Sequence, residues 1–458
     1  MTSATERGWR VGTVVLAVAM TTWAAPVAAA VAPPTVDRSL LPPPRSPAPP
    51  DVTEPTGDCR PVARAAHRGD PMQLTKLGIP NLRPLSRGSG QTVAVIDTGV
   101  ARHRLLPRVT AGGDYVATGD GTQDCDGHGT IVAGIIAAAP SDDGPDAFEG
   151  VAPEAGIITI RQSSNEFRRS DGGSGTGVGD VDTLAMAVRT AADLGATVIN
   201  ISTVACAPVG DGMADGALGA ALAYAVDVKN VVVVAAAGNT GGSGQCAEQK
   251  PSADPVRVGR PDWDAVTVVV SPPWYDDYVL TVGSVAADGR PSRFTLAGPW
   301  VDVAAPGESV VSLSATGEGL VDTEPGSVDA EPISGTSYAA PVVSGVAALI
   351  RARAPQLTAR QVMRRIEDTA LHPAAGWDPF VGFGVIDPLA ALSADGERPT
   401  AVTRETASVP PPADAEPVDS RIRTVAFGGA AVCLAVATAA ATASTSWLRR
   451  RRDPVTHD

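Results

Sequence analysis

Gly335-Thr336-Ser337-Tyr338-Ala339-Ala340-Pro341 is a small turn that delivers a serine to the head of an apolar run, Val342-Val343-Ser344-Gly345-Val346-Ala347-Ala348-Leu349-Ile350. The run has the length and spacing of a buried helix, which puts Ser337 at a helix N-terminus. Backbone N–H groups are unpaired there and the helix dipole favours negative charge, so an oxygen nucleophile and the oxyanion it creates are both stabilised. Pro341 has no N–H to offer the Ser337 carbonyl, so the first turn is expected to be bent or loosened at the serine. A serine in this setting caps a core helix as readily as it attacks a carbonyl. The choice depends on whether the rest of the chain supplies a base.

Upstream, Thr92-Val93-Ala94-Val95-Ile96 is a continuous apolar run that ends in Asp97-Thr98-Gly99, as for a strand buried on both faces. Similar runs recur at residues 156–160, 197–201, 231–235 and 278–282, with helix-length patterns at 181–194 and 214–228 between them. Strand and helix in alternation imply an α/β fold with a mainly parallel sheet covered on both faces. Ligands bind such sheets at the carboxyl ends of the strands, where Asp97 lies. Asp126-Gly127-His128-Gly129-Thr130 opens another apolar helix pattern, and glycines flanking a histidine there suggest close backbone approach. The fourth of these runs leads into Ala236-Ala237-Gly238-Asn239, whose amide either points into a site at the sheet's edge or simply marks a turn.

The two ends read as targeting and anchoring segments. Arg7 and Arg10 precede an uncharged stretch, residues 11–25, and then Pro26-Val27-Ala28-Ala29-Ala30, as in a signal peptide over 1–30; a retained N-terminal anchor is the alternative. Residues 31–74 form a proline-rich extension, 75–392 the folded body and 393–423 a Pro/Ala-rich linker. Residues 424–448 are uncharged over roughly 25 positions, long enough for a transmembrane helix, although their alanine-rich composition also suits a soluble one. Arg449 to Arg452 outnumber Arg421 and Arg423, which puts the tail, 449–458, in the cytoplasm and the body outside the cell membrane. At 44% hydrophobic residues the chain can bury a full core, and a net charge of −14 argues against a nucleic-acid partner.

Taken together, the blocks Val95-Ile96-Asp97-Thr98-Gly99, Gly127-His128-Gly129-Thr130, Ala236-Ala237-Gly238-Asn239 and Gly335-Thr336-Ser337 with Ala339-Ala340-Pro341 resemble, in order, those of the subtilisin-like serine proteases, the subtilases. Gly150-Val151-Ala152-Pro153 and Val303-Ala304-Ala305-Pro306-Gly307 add to the match. The resemblance implies a three-layer subtilisin-like fold and a serine endopeptidase in which Ser337 is the nucleophile, His128 the general base and Asp97 its orienting acid. It further implies that Asn239 and the Ser337 N–H form the oxyanion hole, with Ser202 and Thr203 on the edge that binds substrate backbone. Two positions depart from the family pattern. The residues after Ser202 lack the usual bulky residue and paired glycines, and Tyr338 stands where a methionine is usual.

Signal, short proline-rich extension, tether, C-terminal anchor and Tyr338 together resemble the mycosins, the membrane-anchored subtilases of type VII secretion systems. That likeness implies a restricted-specificity protease acting on protein or peptide substrates beside a secretion membrane complex, or a structural component of that complex whose proteolysis is dispensable. It also implies that the extension wraps the body. Of the five cysteines Cys433 falls in the expected membrane helix, and the other four allow three pairings. The favoured one joins Cys59 to Cys125 and Cys206 to Cys246, bonds that persist outside the cytoplasm. No cofactor is implied. Calcium is common in the family, but Asp142-Asp143-Gly144 with Asp146 and the loop 171–180 match no calcium-loop spacing and read as solvated insertions, so no metal site is assigned.

Overall fold

The computed structural model describes residues 31–59, 72–141, 148–171, 177–242, 246–249, 259–324 and 331–393. The expected signal peptide, the membrane helix, the basic tail and all of the linker after Ser393 lie outside these residues, as do Asp142, Asp143 and Asp146. No helix among the described residues is long and apolar enough to cross a membrane.

Seven strands, β1 (Thr92–Asp97), β2 (Val109–Asp114), β3 (Gly156–Arg161), β4 (Val198–Ile201), β5 (Val232–Ala236), β6 (Leu280–Val285) and β7 (Val303–Pro306), form one sheet in the order β7-β6-β5-β4-β1-β3-β2. Every neighbouring pair is parallel. Parallel strands need crossovers, and the helices that supply them cover the sheet. Helices α1 (His128–Ala137) and α4 (Thr336–Arg353) pack on each other, as do α2 (Val181–Asp193) and α3 (Gly216–Ala223). Helix α5 (Ala359–Asp368) packs against α4. This is a subtilisin-like α/β architecture.

The five apolar runs of the sequence are the five interior strands, β1, β3, β4, β5 and β6, and residues Val93 to Ile96 of central β1 have no exposed surface. The two edge strands are not among these runs. β2, Val-Thr-Ala-Gly-Gly-Asp, is partly exposed and carries a bulge between Ala111 and Gly113, so it has no continuous apolar pattern. β7 lies within the family block Val303-Ala304-Ala305-Pro306-Gly307 and ends in Pro306, which edge positions tolerate. The run at 278–282 pairs two residues later than expected, from Leu280.

The extension follows the body's surface. Arg38 pairs with Asp227 at 2.6 Å, the Pro42 carbonyl accepts from Arg189, and Pro47 fills the space beside Gly113. Thr53–Pro55 then pairs antiparallel with Phe167–Arg169, and Cys59 is bonded to Cys125. The second disulfide joins Cys206, in a short strand paired with Val268–Ser271, to Cys246.

Candidate active site

Asp97 ends the central strand and is wholly buried. Its Oδ1 accepts from the Thr98 N–H at 2.8 Å and lies 2.7 Å from His128 Nδ1. The histidine reaches it because α1 starts with no room to spare. Gly127 caps the helix in the left-handed region, φ 83°, and a Cβ on Gly129 would lie 2.0 Å from the Gly99 carbonyl oxygen. Only glycine allows that approach of helix to strand end.

Asp124, which the sequence reading passed over, ties these pieces together. Its Oδ1 accepts from Thr98 Oγ1 and the Gly127 N–H, and its Oδ2 from the Thr130 N–H and hydroxyl. Burial pushes its carboxyl up to about 6, against the hydrogen bonds from Thr130 and Thr98. For His128, burial pulls the imidazole pKa down, but the charge and hydrogen bond of Asp97, followed by the charges of Glu324 and Asp124, outweigh it and push it up to about 9.

Ser337 occupies the first turn of α4, after Gly335 at the cap. Its Oγ donates to the Ser202 carbonyl at 2.9 Å, and Ser202 Oγ donates back to the Ser337 carbonyl, also at 2.9 Å. This second bond supplies the donor that Pro341 cannot. Asn200 Nδ2 donates to Ser202 Oγ, and Ser344 Oγ to Asn200 Oδ1, so a buried polar chain runs from the helix to the serine. The Ser202 expected to hold substrate therefore also holds the serine. Thr203 and Val204 continue along the cleft wall beside it.

Asn239 faces the same helix start. Its Oδ1 accepts from the Thr336 N–H and hydroxyl, each at 3.0 Å, which leaves Nδ2 on the open side as a donor. The Asn239 carbonyl accepts from the Cys246 N–H, so the Cys206–Cys246 disulfide closes directly on this turn. Tyr338, buried behind the serine, sets its ring 5.1 Å from that of His128 and donates to Glu324 Oε2 at 3.2 Å. A cleft of about 550 Å³ runs over His128 between Gln162–Glu166 and Ser202–Ala205. A buried carboxylate on an imidazole, a hydroxyl at a helix N-terminus and an amide donor beside it form a set suited to acyl transfer.

Residues 88–384 match the model of the Subtilase family. The chain is 57% identical over 441 residues to Mycosin-4 of Mycobacterium tuberculosis, covering 94% of this chain and 95% of that one. The chain belongs to the mycosins, within the subtilase family. As a mycosin it is a subtilase serine peptidase. The structure of MycP3 protease from the type VII (ESX-3) secretion system superposes with a TM-score of 0.74 at 45% identity, covering 80% of this mycosin and 100% of that chain. A chain in the structure of an intact ESX-5 inner membrane complex superposes with a TM-score of 0.74 at 41% identity, covering 91% of this chain and 100% of its own length. Among the described residues no group of three or more His, Cys, Asp or Glu is placed to hold a metal ion.

Proposed function

We propose that this mycosin is a membrane-anchored, extracytoplasmic serine endopeptidase of restricted specificity that works with a type VII secretion membrane complex. The observation that carries the catalytic part is the 2.7 Å contact of His128 Nδ1 with buried Asp97, beside a cleft lined by His128 and by Ser202, whose carbonyl holds the Ser337 hydroxyl. In this mechanism the Ser337 hydroxyl leaves the Ser202 carbonyl and turns to His128 Nε2, which takes its proton as Oγ attacks the peptide carbonyl. Asp97 holds the tautomer that leaves Nε2 free and stabilises the imidazolium. The tetrahedral oxyanion takes hydrogen bonds from Asn239 Nδ2 and the Ser337 N–H, and His128 then gives its proton to the leaving amine. Fluorophosphonate labelling of the purified body checks the assignment. Labelling should require Ser337 and vanish in Ser337→Ala; equal labelling of both would reject it. Restricted specificity predicts that the labelled protein leaves casein intact.

The anchor rests on residues 424–448, uncharged and followed by Arg449 to Arg452. A tag placed after Asp458 should be protected from external protease in spheroplasts, and its digestion would reverse the topology. A second reading, in which the chain chiefly stabilises a secretion complex, is favoured by its likeness to a chain of the ESX-5 inner membrane complex over that chain's whole length. Secretion in a deletion strain complemented with Ser337→Ala separates the two. Full rescue favours the structural role and no rescue the catalytic one.

A further inference from the structure

Apart from the Glu324 charge that helps raise His128, the charges around the cleft take no part in the proton transfers of the proposed mechanism. Four carboxylates line it, those of Asp126, Glu166, Asp180 and Glu324, and no lysine or arginine does among the described residues. Two of the four are unremarkable. Asp180 caps α2 and sits 3.8 Å from Arg169, while Glu166 is exposed to solvent.

Asp126 and Glu324 are half-buried, and their oxygens are aimed by neutral donors. Asp126 Oδ2 accepts from Ser164 Oγ at 2.5 Å and Oδ1 from the Asn165 N–H at 2.7 Å. Glu324 Oε1 accepts from the Ser334 N–H and Oε2 from the Tyr338 hydroxyl, both at 3.2 Å. Neutral donors orient a carboxylate without cancelling its charge, and each oxygen keeps a second lone pair for another donor. Neither residue pairs with a lysine or arginine among the described residues. Burial raises both carboxyls, a cost that an arriving cation reverses. The walls of a partly enclosed cleft also concentrate the field of like charges.

We infer that Asp126 and Glu324 make this cleft select peptides carrying a lysine or arginine side chain near the scissile bond. The ligand is a cation borne on the peptide rather than a free metal ion, since the described residues gather no metal-binding group there. Asp126 meets it from the wall that holds Ser164 and Asn165, and Glu324 from the side that Tyr338 supports. Tyr338 thereby has a positioning role: its hydroxyl aims Glu324 at the cleft.

The inference rests on the cleft being the substrate site of the serine peptidase, and the test keeps the two apart. Full-length protein in detergent is labelled with a fluorophosphonate in the presence of competing octapeptides that differ only by Lys, Gln or Glu at one position. At one or more positions the Lys peptide should protect Ser337 at roughly tenfold lower concentration than the Gln peptide, and the Glu peptide should protect least. Added salt should narrow the gap. Glu324→Gln and Asp126→Asn should each reduce the Lys-to-Gln ratio and together abolish it. The ratio is taken within one protein, so altered labelling rates cancel. Equal protection by Lys and Gln peptides at every position in the wild type overturns the inference, as does a ratio that survives in the double variant. Should a variant fail to label, the wild-type series decides alone. Absence of labelling in the wild type overturns the nucleophile assignment itself.

Discussion

Asp97 and His128 are fixed by groups that leave no room, whereas Ser337 is held through two hydroxyl-to-carbonyl bonds with Ser202 that can be exchanged one at a time. On the base side the constraint is backbone: helix α1 starts against the end of β1, and Asp124 collects donors from both. On the nucleophile side the constraint is a rotor. In the proposed mechanism the difference gives precision to the base and readiness to the serine, whose hydroxyl would give up one neutral hydrogen bond to enter the reaction. Such a bond is worth about 1 kcal/mol, little beside an activation barrier.

The comparison is tested most severely at Gly129. Alanine there places a methyl 2.0 Å from the Gly99 oxygen and 3.1 Å from Asp97 Cβ, so Gly129→Ala should cost about 3 kcal/mol in chemical denaturation and remove labelling. Wild-type stability in that variant would mean the close approach is not what fixes the base. On the opposite side, Asn239→Ala should lower kcat by roughly 10²–10³, the effect measured for the corresponding change in subtilisin, with KM little changed. A change in KM alone would make Asn239 a substrate contact instead.

The pH profile separates the two halves. As the proposed general base His128 must be neutral to take a proton, and neighbouring carboxylates push it up to about 9, so kcat/KM should climb with pH until about 9. Glu324→Gln removes one raising charge and should shift that midpoint down, while Ser202→Ala should leave it in place. The sign for stability is opposite. A raised histidine contributes stability fully below its ordinary 6.5 and loses it as pH rises through about 9, visible as a falling denaturation midpoint.

The smallest effect concerns the carbonyl that Pro341 leaves without a helical donor. Ser202→Ala should cost about 1 kcal/mol in the native background and less in Pro341→Ala, which restores an N–H to the helix. Additive costs in the double variant would show that the two do not compensate for one another.

The sequence was legible where burial is complete on both sides. Interior strands must be apolar throughout, so β1, β3, β4, β5 and β6 announce themselves; β2 escapes because an edge strand with a bulge and two glycines needs no such pattern. The residue types at Asp97, His128, Asn239 and Ser337 were readable because each sits at the end of a strand or the start of a helix, and the fold gathers those ends. Asp124 and Glu324 were not. Aspartate near glycines is ordinary loop composition, and only the folded chain brings Thr98 and Thr130 to the one carboxylate and Tyr338 to the other. Ser202 was read for its backbone, while its hydroxyl matters because of a proline far along the chain.

The bond between Cys59 and Cys125 has a further consequence for how this chain matures. Residues before Cys59 lie on one side of any cut made between the two cysteines, and the histidine-bearing helix lies on the other. A protease that nicks the chain there creates new termini without freeing a fragment, so the two pieces should migrate as one on a non-reducing gel and separate only after reduction. Activation by shedding an inhibitory pro-segment is thus closed to cleavage in that interval, and the extension travels with the enzyme as a covalent part of the wall beside its cleft.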